Sequence, residues 1–478
     1  MNKKQQNKRD ELIKKLKGRK ISDIEEIKNY QLQVLNPNAA AADISSTTIY
    51  VCIPAQKAID LKIDFVRVFG CYTQDLLEIV ELLKLCEVNT FAMESTSVYW
   101  IPLYDILTKN NIDVCLVNPK KYRMIPGRKN DTDDAIWLQT LHSYGLLQGS
   151  FHPEPQIKEL RTLMRHRDTL VHESVRFVQR MQKCMIEMNL LLNNVLRDIM
   201  GETGINIIED ILNGERDPKK LAMHRNFRVK ASEEEIVKSL QGIYKDDQLI
   251  VLRMNYEFYK FTWQQIRSLD QEVEKMLLKF PLKQEHDAKP ETLKRSKTVH
   301  KNSPKLKTPL ENYLFGMTGV DLTRIDGLGA QSVLQIVSEV GIDLTDFPTE
   351  NHFASFLGLA PRTDISNGKV LRSKTARIKS TASLVFRKAV IGVINSKSSL
   401  GAFYKRLSGR IGKLQANVAT ARKIAILYYR MIVHGQDYVD IGEKAYKDKQ
   451  EERKKYIFLK KAKEMKFQVI DANGEVLA

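Results

Sequence analysis

The sequence predicts an α/β N-terminal domain followed by a region that is mainly helical. Three observations support this fold class. Short apolar runs alternate with amphipathic runs in the first part, long helical periodicity fills the middle, and a Lys-, Ser-, Thr- and Pro-rich stretch precedes the last part. The chain has 478 residues, 43% of them hydrophobic, which is enough for two or three domains with cores of their own.

The N-terminal domain is predicted to hold a mixed sheet flanked by helices. The run "AAAADISSTTIYVCIP" predicts two short strands joined by a Ser-Ser-Thr turn, and "FVRVFG" predicts a third strand. The helical run "TQDLLEIVELLKLC" and the strand "NTFAME" follow, and then the helix "VYWIPLYDILTKN" and the strand "IDVCLVNP". An Asp-rich stretch then opens a helix that continues through "DAIWLQTLHSYG".

Two long helices are predicted for the middle of the chain. Apolar residues recur at helical spacing from Ile157 to Leu192, which is typical of a coiled coil or bundle, and a second long helix is predicted from Asp247 to Leu278. The stretch from Pro281 to Pro309 has little apolar content and predicts a flexible basic linker. A second globular unit follows, and then a charged tail with a helix candidate.

These observations set the predicted domain bounds. The bounds are 1–37 for a basic N-terminal segment, 38–154 for the α/β domain, 155–280 for the long helices, 281–310 for the linker, 311–442 for the C-terminal domain and 443–478 for the charged tail.

The balance of charge indicates a polyanionic partner. Lys and Arg total 76 against 58 Asp and Glu, a net charge of +18, which favours nucleic acid over an anionic membrane. The five cysteines have neither metal-ligand nor disulfide-framework spacing, as expected in a reducing cytosol. The N-terminus has no apolar core of a signal peptide, and no run is long enough to cross a bilayer, so we expect a cytoplasmic protein without membrane contact.

Four acidic residues are candidates for a metal site. On a helix, Asp131 and Asp134 share a face, whereas Asp133 lies about 100° away. Taken alone, such a pair also fits capping and compensation of the helix dipole. Asp43 and Glu94, however, lie at predicted strands, where a carboxylate is costly unless a cation meets it. If these strands are neighbours, four oxygen donors converge and suit Mg²⁺, and two such ions could act on a phosphodiester.

The C-terminal domain begins with a candidate phosphate-binding turn. The run "LTRIDGLGAQSVLQIVSEVG" has the shape of a helix-hairpin-helix element, in which Gly327 and Gly329 let backbone N–H groups approach a phosphate. An ordinary turn between helices fits the local sequence equally well.

A serine in a predicted loop is a second candidate for chemistry. Ser366 precedes Asn367 and Gly368, and a basic run follows, namely Lys369, Arg372, Lys374, Arg377 and Lys379. The loop either grips phosphate through its basic residues or presents a hydroxyl that attacks phosphorus. No His lies near in sequence, and Ser373 and Ser380 are rivals, so the residues alone leave both interpretations open.

Several of these stretches together resemble a known family, the DEDD-type transposases of insertion sequences. The resemblance lies in "NAAAADISSTTIYVCIP", "AMESTSVYWIPLYDIL", "LVNPKKYRMIPGRKNDTDDAIWLQ" and "HSYGLLQGSF". It implies a RuvC-like N-terminal domain of the ribonuclease H superfamily, with Asp43, Glu94, Asp131 and Asp134 as the catalytic and metal-binding acids. Three positions depart from the usual pattern without removing a ligand: Ala42 and Ser97 replace glycines, and Asn130 replaces threonine.

The C-terminal block resembles the transposase domain of the same family, over a total of roughly residues 38 to 440. The resemblance implies that Ser366 is a nucleophile that links covalently to DNA, although "SNGK" stands here for the more usual "SAGK" or "SGG". Gly327, Gly329, Lys369, Arg372, Lys374 and Arg377 are then the predicted nucleic-acid contacts.

The function that the resemblance implies is cutting and rejoining of DNA to move an insertion sequence. It implies two Mg²⁺ ions, with Mn²⁺ as the alternative, and donor and target DNA as partners. It further implies a structured guide RNA encoded by the element, and a homodimer, built on the long helices, that assembles into a tetramer. The location implied is the bacterial or archaeal cytoplasm, at the nucleoid.

Two other functions stay open from the sequence. One is a metal-dependent, structure-specific endonuclease similar to Holliday-junction resolvases, in which water attacks and Ser366 is only a loop residue. The other is a nucleic-acid binder without catalysis, against which all four acids argue, since a binder has no use for a buried acidic cluster.

Overall fold

The computed structural model describes residues 33–95, 97–118, 130–283, 302–376, 378, 380–435 and 440–470. The chain divides into two compact units, residues 1–152 and residues 153–478. The first unit therefore contains nearly all of the predicted α/β domain. The predicted helical region and C-terminal domain lie together in the second unit. Of the predicted basic N-terminal segment, only residues 33–37 are described.

A five-stranded mixed sheet forms the centre of the described part of the first unit. Its strands are β1 (Ala39–Ile44), β2 (Ile49–Cys52), β3 (Val66–Phe69), β4 (Thr90–Glu94) and β5 (Asp113–Val117). The strand order is β3-β2-β1-β4-β5. Strands β1, β4 and β5 are parallel, and β2 is antiparallel to both of its neighbours. The predicted mixed sheet is confirmed.

Helices cover both faces of this sheet. They are α1 (Ala55–Leu61), α2 (Thr73–Leu85), α3 (Trp100–Lys109) and α4 (Asp131–Ser143). One face of the sheet packs its apolar side chains with those of α2 and α3. On the other face, Ala41 and Ala92 pack with Leu138 and Leu141 of α4. The short helix α1 was missing from the sequence prediction.

The direction of α4 is fixed by polar contacts at its C-terminal end. The Gln139 side chain donates to the carbonyl of Ala39 at 3.0 Å, and the His142 ring hydrogen-bonds to Thr90 at 2.9 Å. Both partners lie at the starts of β1 and β4. The first turn of α4 therefore lies toward the carboxyl ends of these strands. Ala39–Ala42 are fully buried, and their small side chains let the helix approach closely.

The second unit is built on an antiparallel pair of long helices, α5 (Pro155–Glu187) and α10 (Asp246–Leu277). Arg167 pairs with Asp270, and Phe177 stacks on Phe258, so the residue number falls along one helix as it rises along the other. The pair confirms two long helices in this region, while the coiled-coil interpretation stays a prediction.

A small helical cap, residues 188–245, joins the two long helices. It contains α6 (Leu192–Val195), α7 (Glu202–Leu212), α8 (Pro218–Ala222) and α9 (Glu233–Ser239). Side chains of α7 such as Ile207 and Ile211 form a core with Leu221, Ile236 and Leu252. The cap is thus a packed element and not a simple break between helices.

The remainder of the second unit is helical apart from one hairpin. Its helices are α11 (Leu310–Thr318), α12 (Ala330–Val340), α13 (Glu350–Phe356), α14 (Thr381–Val393), α15 (Ser399–Ile411), α16 (Lys413–His434) and α17 (Gly442–Glu464). The hairpin consists of β6 (Pro361–Ser366) and β7 (Lys369–Thr375). Phe353, Phe386 and Tyr428 are buried against one another at the centre of these helices. No helix in the described ranges is long and apolar enough to cross a membrane.

The predicted flexible linker, 281–310, differs from the structure at both of its ends. The Lys283 N–H donates to the carbonyl of Gly316 at 2.8 Å. The Lys305 N–H donates to Asp270 at 3.0 Å, and the Lys307 N–H donates to Glu274 at 2.8 Å. Buried carboxylates of α10 therefore fix the chain after residue 301, although its composition is that of a linker. Residues 284–301 lie outside the described part of the chain.

A buried ion pair supports this attachment. The Arg167 guanidinium donates to Asp270 at 2.6 Å and to the carbonyl of Asn302 at 2.9 Å, and both charged side chains are almost fully buried. Burial alone would raise the pKa of Glu274, but hydrogen bonds from Tyr313 and from the N–H groups of Lys307 and Thr308 outweigh it and lower the pKa. Glu274 thus stays a charged acceptor for the incoming chain.

We predict that Asp270→Ala destabilises the second unit by about 3–5 kcal/mol, because it leaves the Arg167 charge buried without its carboxylate. The midpoint of denaturant unfolding measures the effect. Glu272→Ala is the matched control on the same helix, since its ion pair with Lys275 is exposed, and we expect it to cost at most about 1 kcal/mol. Equal effects of the two substitutions would contradict the prediction.

Candidate active site

Asp43 and Glu94 lie side by side at the carboxyl ends of two parallel strands. The register pairs Ala42 of β1 with Met93 of β4, and the two acids come one residue later. Asp43 follows Ala41 by two residues, and Glu94 follows Ala92 by two, so both carboxylates belong to the sheet face that α4 covers. Glu94 is only 6% exposed. The predicted convergence of these two strands is therefore present.

Asp131 and Asp134 reach the same corner from the first turn of α4. This turn lies toward the carboxyl ends of β1 and β4 because the other end of the helix is bound to the starts of these strands. The electrostatics of Asp43 show how close the four acids are. Burial, and then the charges of Asp131, Glu94 and Asp134, raise the pKa of the Asp43 carboxyl to about 6. The other three predicted acids thus all act on Asp43.

Asp133 does not take part in this cluster. Its side chain is exposed, and it is absent from the charges that act on Asp43. Its backbone N–H donates to the side chain of Asn130 at 2.8 Å, so Asn130 caps the helix. The capping function and the acidic cluster therefore belong to different residues of the same turn. The sequence alone had left these two interpretations in competition.

The donor set at this corner fits a divalent cation. Carboxylate oxygens are the ligands that Mg²⁺ and Mn²⁺ take, and the raised pKa of Asp43 shows a net negative site. Among the described residues, however, no group of three or more His, Cys, Asp or Glu side chains already has the spacing of a metal site. Like charges repel one another, and a bound cation removes that repulsion. The fit to a cation therefore follows from the negative charges that act on Asp43, and not from distances that already match a metal site.

Ser366 lies in a β-hairpin, which corrects the prediction of a loop. It is the last residue of β6 and pairs with Lys369, the first residue of β7. Asn367 and Gly368 form the two-residue turn with φ of 47° and 75°, and this positive pair is typical of a type I′ turn. Asn-Gly between two short runs is the strongest short hairpin signal, and the sequence prediction missed it.

The hairpin presents its side chains to solvent. All residues of β6 are exposed, as are the β7 residues from Lys369 to Lys374. Lys369 is the cross-strand neighbour of Ser366, so a cation lies beside the hydroxyl. Arg372 and Lys374 follow on the same strand, opposite Asp364 and Arg362. Arg377 and Lys379 lie outside the described residues.

The glycines of the predicted helix-hairpin-helix have different surroundings. Gly327 has φ of +91°, and a Cβ there would lie 2.4 Å from the carbonyl oxygen of Ala389 in α14. Packing against α14 therefore suffices to explain this glycine. Gly329 has open space around it and precedes α12. Only one 3-10 turn, Leu322–Arg324, directly precedes the glycines, so the helix-hairpin-helix interpretation stays a prediction.

Two supporting residues were missed in the sequence. Gln139 anchors α4 to β1 and thereby positions the acids of the first turn. Ser95 directly follows Glu94, and both its N–H and its hydroxyl donate to the carbonyl of Val117 at the end of β5. The sequence could have revealed Gln139, because it is a polar residue on the otherwise apolar face of a predicted helix. No feature of the sequence indicates the role of Ser95.

Comparison with known families identifies the family to which this chain belongs. Residues 40–189 match the model of the IS110 DEDD domain, described as a transposase, and residues 321–405 match a model described as the transposase of the IS116/IS110/IS902 family. The chain belongs to the IS110 family of DEDD-type transposases. A search of curated proteins gave no significant match for this transposase.

The matched stretches cover both candidate centres of the transposase. The first contains the four acids, and the second contains Ser366 and the predicted basic contacts. Most of the cap, residues 190–245, and the helix α17 lie outside both matched stretches. Membership of this family makes the protein an enzyme of insertion-sequence transposition that acts on DNA, and it implies a general need for divalent metal ions.

We predict that Mg²⁺ or Mn²⁺ raises the melting temperature of the wild-type transposase and that Asp43→Asn abolishes most of this rise. A ligand at a hundredfold excess over its Kd stabilises a protein by about 2.7 kcal/mol. In the presence of chelator, Asp43→Asn itself stabilises by on the order of 1 kcal/mol, because it removes one of four repelling charges at a partly exposed site.

Asp133→Asn is the matched control, since it neutralises an acid of the same turn outside the cluster. It should respond to the ions as the wild type does. If the ions raised the melting temperature of Asp43→Asn as much as that of the wild type, this would contradict the assignment of the four acids to one ion site.

Proposed function

We propose that this transposase cuts and rejoins DNA strands through a covalent serine–DNA intermediate, with Mg²⁺ held by Asp43, Glu94, Asp131 and Asp134. The observation that carries the proposal is the convergence of four acids, remote from one another in sequence, at one corner of the sheet. Retaining such a cluster costs stability, and a cation compensates for that cost. The acids thus mark the catalytic centre.

The chain's own residues set up the environment for the phosphate. Asp43 and Glu94 are fixed by the strands, and Asp131 and Asp134 by the helix turn, so the four oxygen donors are held on rigid elements. Two Mg²⁺ ions, when bound there, would stabilise charge on the attacking and leaving oxygens of the phosphodiester. The buried position of Glu94 limits access of water beside the metal ligands.

Ser366 is the proposed nucleophile. Its hydroxyl oxygen forms a bond to phosphorus as the bond from phosphorus to the 3′ oxygen breaks. The serine proton passes to solvent and the leaving 3′ oxygen takes one up, so that a free 3′-hydroxyl and a 5′-phosphoserine linkage result. A 3′-hydroxyl of the partner strand then attacks the same phosphorus and releases the serine. The number of phosphodiester bonds is conserved, and no nucleotide needs to be hydrolysed.

The basic residues of the hairpin support this role for Ser366. Lys369 lies across the ladder from the serine, where its charge offsets negative charge on the phosphate in the transition state. Arg372, Lys374 and Arg377 are the proposed contacts to neighbouring phosphates. The exposure of the whole hairpin leaves the serine accessible to a DNA strand.

A second copy of the chain is the proposed partner of the long helix α10. Ile250, Met254, Phe258 and Phe261 follow spacings of four, four and three residues and are all exposed. Ile250, Met254 and Phe261 lie opposite the face of α10 that packs on α5, where Leu252, Tyr256 and Ile266 are buried. Phe258 lies at the edge of this stripe, since its ring also stacks on Phe177 of α5. An exposed apolar stripe with heptad-like spacing is typical of a helix–helix interface. We propose that it forms the homodimer from which a tetramer assembles.

A guide RNA encoded by the element is the remaining proposed partner, on the strength of the family resemblance. The net charge of +18 is compatible with holding RNA and DNA together. In such a complex, base pairing supplies the sequence and the protein reads backbone and shape. Donor and target DNA are then selected by the RNA.

We predict that Glu94→Gln lowers strand cleavage by at least about a hundredfold, because it weakens the metal site, and that Ser366→Ala abolishes the covalent protein–DNA species. The measurement is denaturing electrophoresis of reactions with Mg²⁺ or chelator, in which DNA carrying the element's ends and target is supplied with the element's flanking transcript.

Two matched variants control this experiment. Ser373→Ala removes a rival hydroxyl from the same hairpin, and Asp133→Asn removes an acid from the same turn of α4; both should retain cleavage and the covalent species. Cleavage by the wild type without any covalent species, unchanged in Ser366→Ala, would instead establish water as the nucleophile. The protein would then act as a metal-dependent endonuclease.

We predict that Met254→Lys with Phe261→Lys dissociates the dimer, because burial of each side chain contributes about 1.5–3 kcal/mol. Sedimentation or light scattering measures the mass, and we expect the dimer affinity to fall by more than about a hundredfold. Gln271→Lys adds the same charge to the exposed surface of α10 ten residues beyond Phe261, away from the stripe, and should leave the dimer intact. A monomeric wild type, or a variant that stays dimeric, would exclude this interface.

A further inference from the structure

The cap presents an aromatic side chain to solvent in a loop between α8 and α9. Phe227 is 82% exposed, and Met223 in the same loop is 76% exposed. The guanidinium of Arg228 lies over the Phe227 ring at 5.2 Å from its centroid. The ring is therefore accessible to a binding partner, and its position beside a guanidinium distinguishes it from an isolated exposed apolar side chain.

Hydrogen bonds fix the backbone of this loop. The Arg225 side chain donates to the carbonyls of Val229 and Ala231 at 2.9 and 2.7 Å. The Thr203 hydroxyl donates to the carbonyl of His224 and accepts from the N–H of Asn226, both at 3.1 Å. The loop therefore holds Phe227 outward in a defined position, and binding need not order it first.

A second set of side-chain contacts supports the same geometry. The Asn226 amide donates to Glu202 at 3.1 Å, and its side-chain oxygen accepts from the N–H of Arg228 at 3.0 Å. The His224 ring and Asp210 are 2.6 Å apart. The nearby acids Glu202 and Asp210 are thus already engaged with loop residues.

Cations predominate in the stretch that surrounds Phe227, while acids lie at both of its ends, namely Asp217 and Glu233–Glu235. Residues 218–231 contain five Lys and Arg residues and no Asp or Glu. All five are exposed, namely Lys219, Lys220, Arg225, Arg228 and Lys230. Lys220 has Glu215 at 3.4 Å, and the others in this stretch have no carboxylate within ion-pair distance among the described residues. A polyanion is therefore the partner that this surface fits.

We infer that this loop is a binding site for single-stranded DNA, in which an unpaired base stacks on Phe227 and flanking phosphates contact the lysines and Arg228. An exposed ring between cations is the arrangement that binds unpaired strands, because every base has a face that can stack. In duplex DNA the faces of the bases are occupied. A second copy of the same loop would be repelled by its charge. DNA is the substrate of the family, and strand exchange creates unpaired DNA.

The site lies outside both matched stretches of the chain, so it is a feature of this transposase beyond the two family domains. The inference needs the DNA substrate but neither the four acids nor Ser366. Binding can therefore be measured in the full-length Glu94→Gln protein, where the proposed cleavage does not interfere. Failure of the cap site and failure of the catalytic proposal are thereby distinguishable.

The test is fluorescence anisotropy with a labelled single-stranded DNA oligonucleotide, with duplex DNA and single-stranded RNA of the same sequence as further probes. We expect Phe227→Ala and Phe227→Leu to lower the affinity for single-stranded DNA about tenfold, and Phe227→Trp to retain it. The emission of the Trp introduced in Phe227→Trp should be quenched by stacking when DNA binds. Replacement of Lys219 and Lys220 by Gln should reduce the slope of the salt dependence by about 0.7 for each phosphate that the protein no longer binds.

Thermal unfolding shows whether the variants fold, and the exposure of Phe227 predicts unchanged stability. Wild-type affinity in both Phe227→Ala and Phe227→Leu would overturn the inference. So would an effect of Phe227 that is equal for duplex DNA, or a stronger effect for RNA than for DNA. A change of oligomeric state in Phe227→Ala with unchanged DNA binding would make the loop a protein contact and would likewise overturn it.

Discussion

Repulsion among four carboxylates is the constraint on which the first unit depends. Asp43, Glu94, Asp131 and Asp134 come together because the sheet and the helix α4 force them to. Burial, and then the charges of the other three acids, raise the pKa of Asp43. Packing and hydrogen bonds in the rest of the unit hold these four acids in place. Four small, buried residues in β1 let the helix come close, and its far end is tied to the starts of β1 and β4. The stability of the rest of the unit therefore compensates for the repulsion among the four acids.

The second unit uses the opposite arrangement, since its buried charges attract. Arg167 and Asp270 join the long helices, and the same acid, with Glu274, receives the chain that leads into the C-terminal helices. On the other side of α5, Arg165 binds Glu339 of α12 through two hydrogen bonds of 2.8 Å. The helix pair and the C-terminal helices are therefore one body. The serine hairpin and the apolar stripe of α10 belong to the same unit.

Periodicity in the sequence was enough to predict the mixed sheet, the helices that flank it and the two long helices, because their core faces are apolar at regular spacing. The convergence of Asp43 and Glu94 followed from their positions at neighbouring strand ends. The hairpin of Ser366 was missed although Asn-Gly marked it, since the basic run suggested a loop. The attachment after residue 301 had no signal, because polar backbone groups bind there to acids over thirty residues away. Composition alone therefore placed both ends of the linker wrongly.

Anchoring at Lys283 and again from Asn302 onward has an evolutionary consequence. The lysines at positions 283, 305 and 307 contribute their backbone N–H groups, which any residue except proline also has. The acceptors Asp270 and Glu274, in contrast, contribute side-chain carboxylates. Relatives are therefore expected to keep these two acids while the lysines vary.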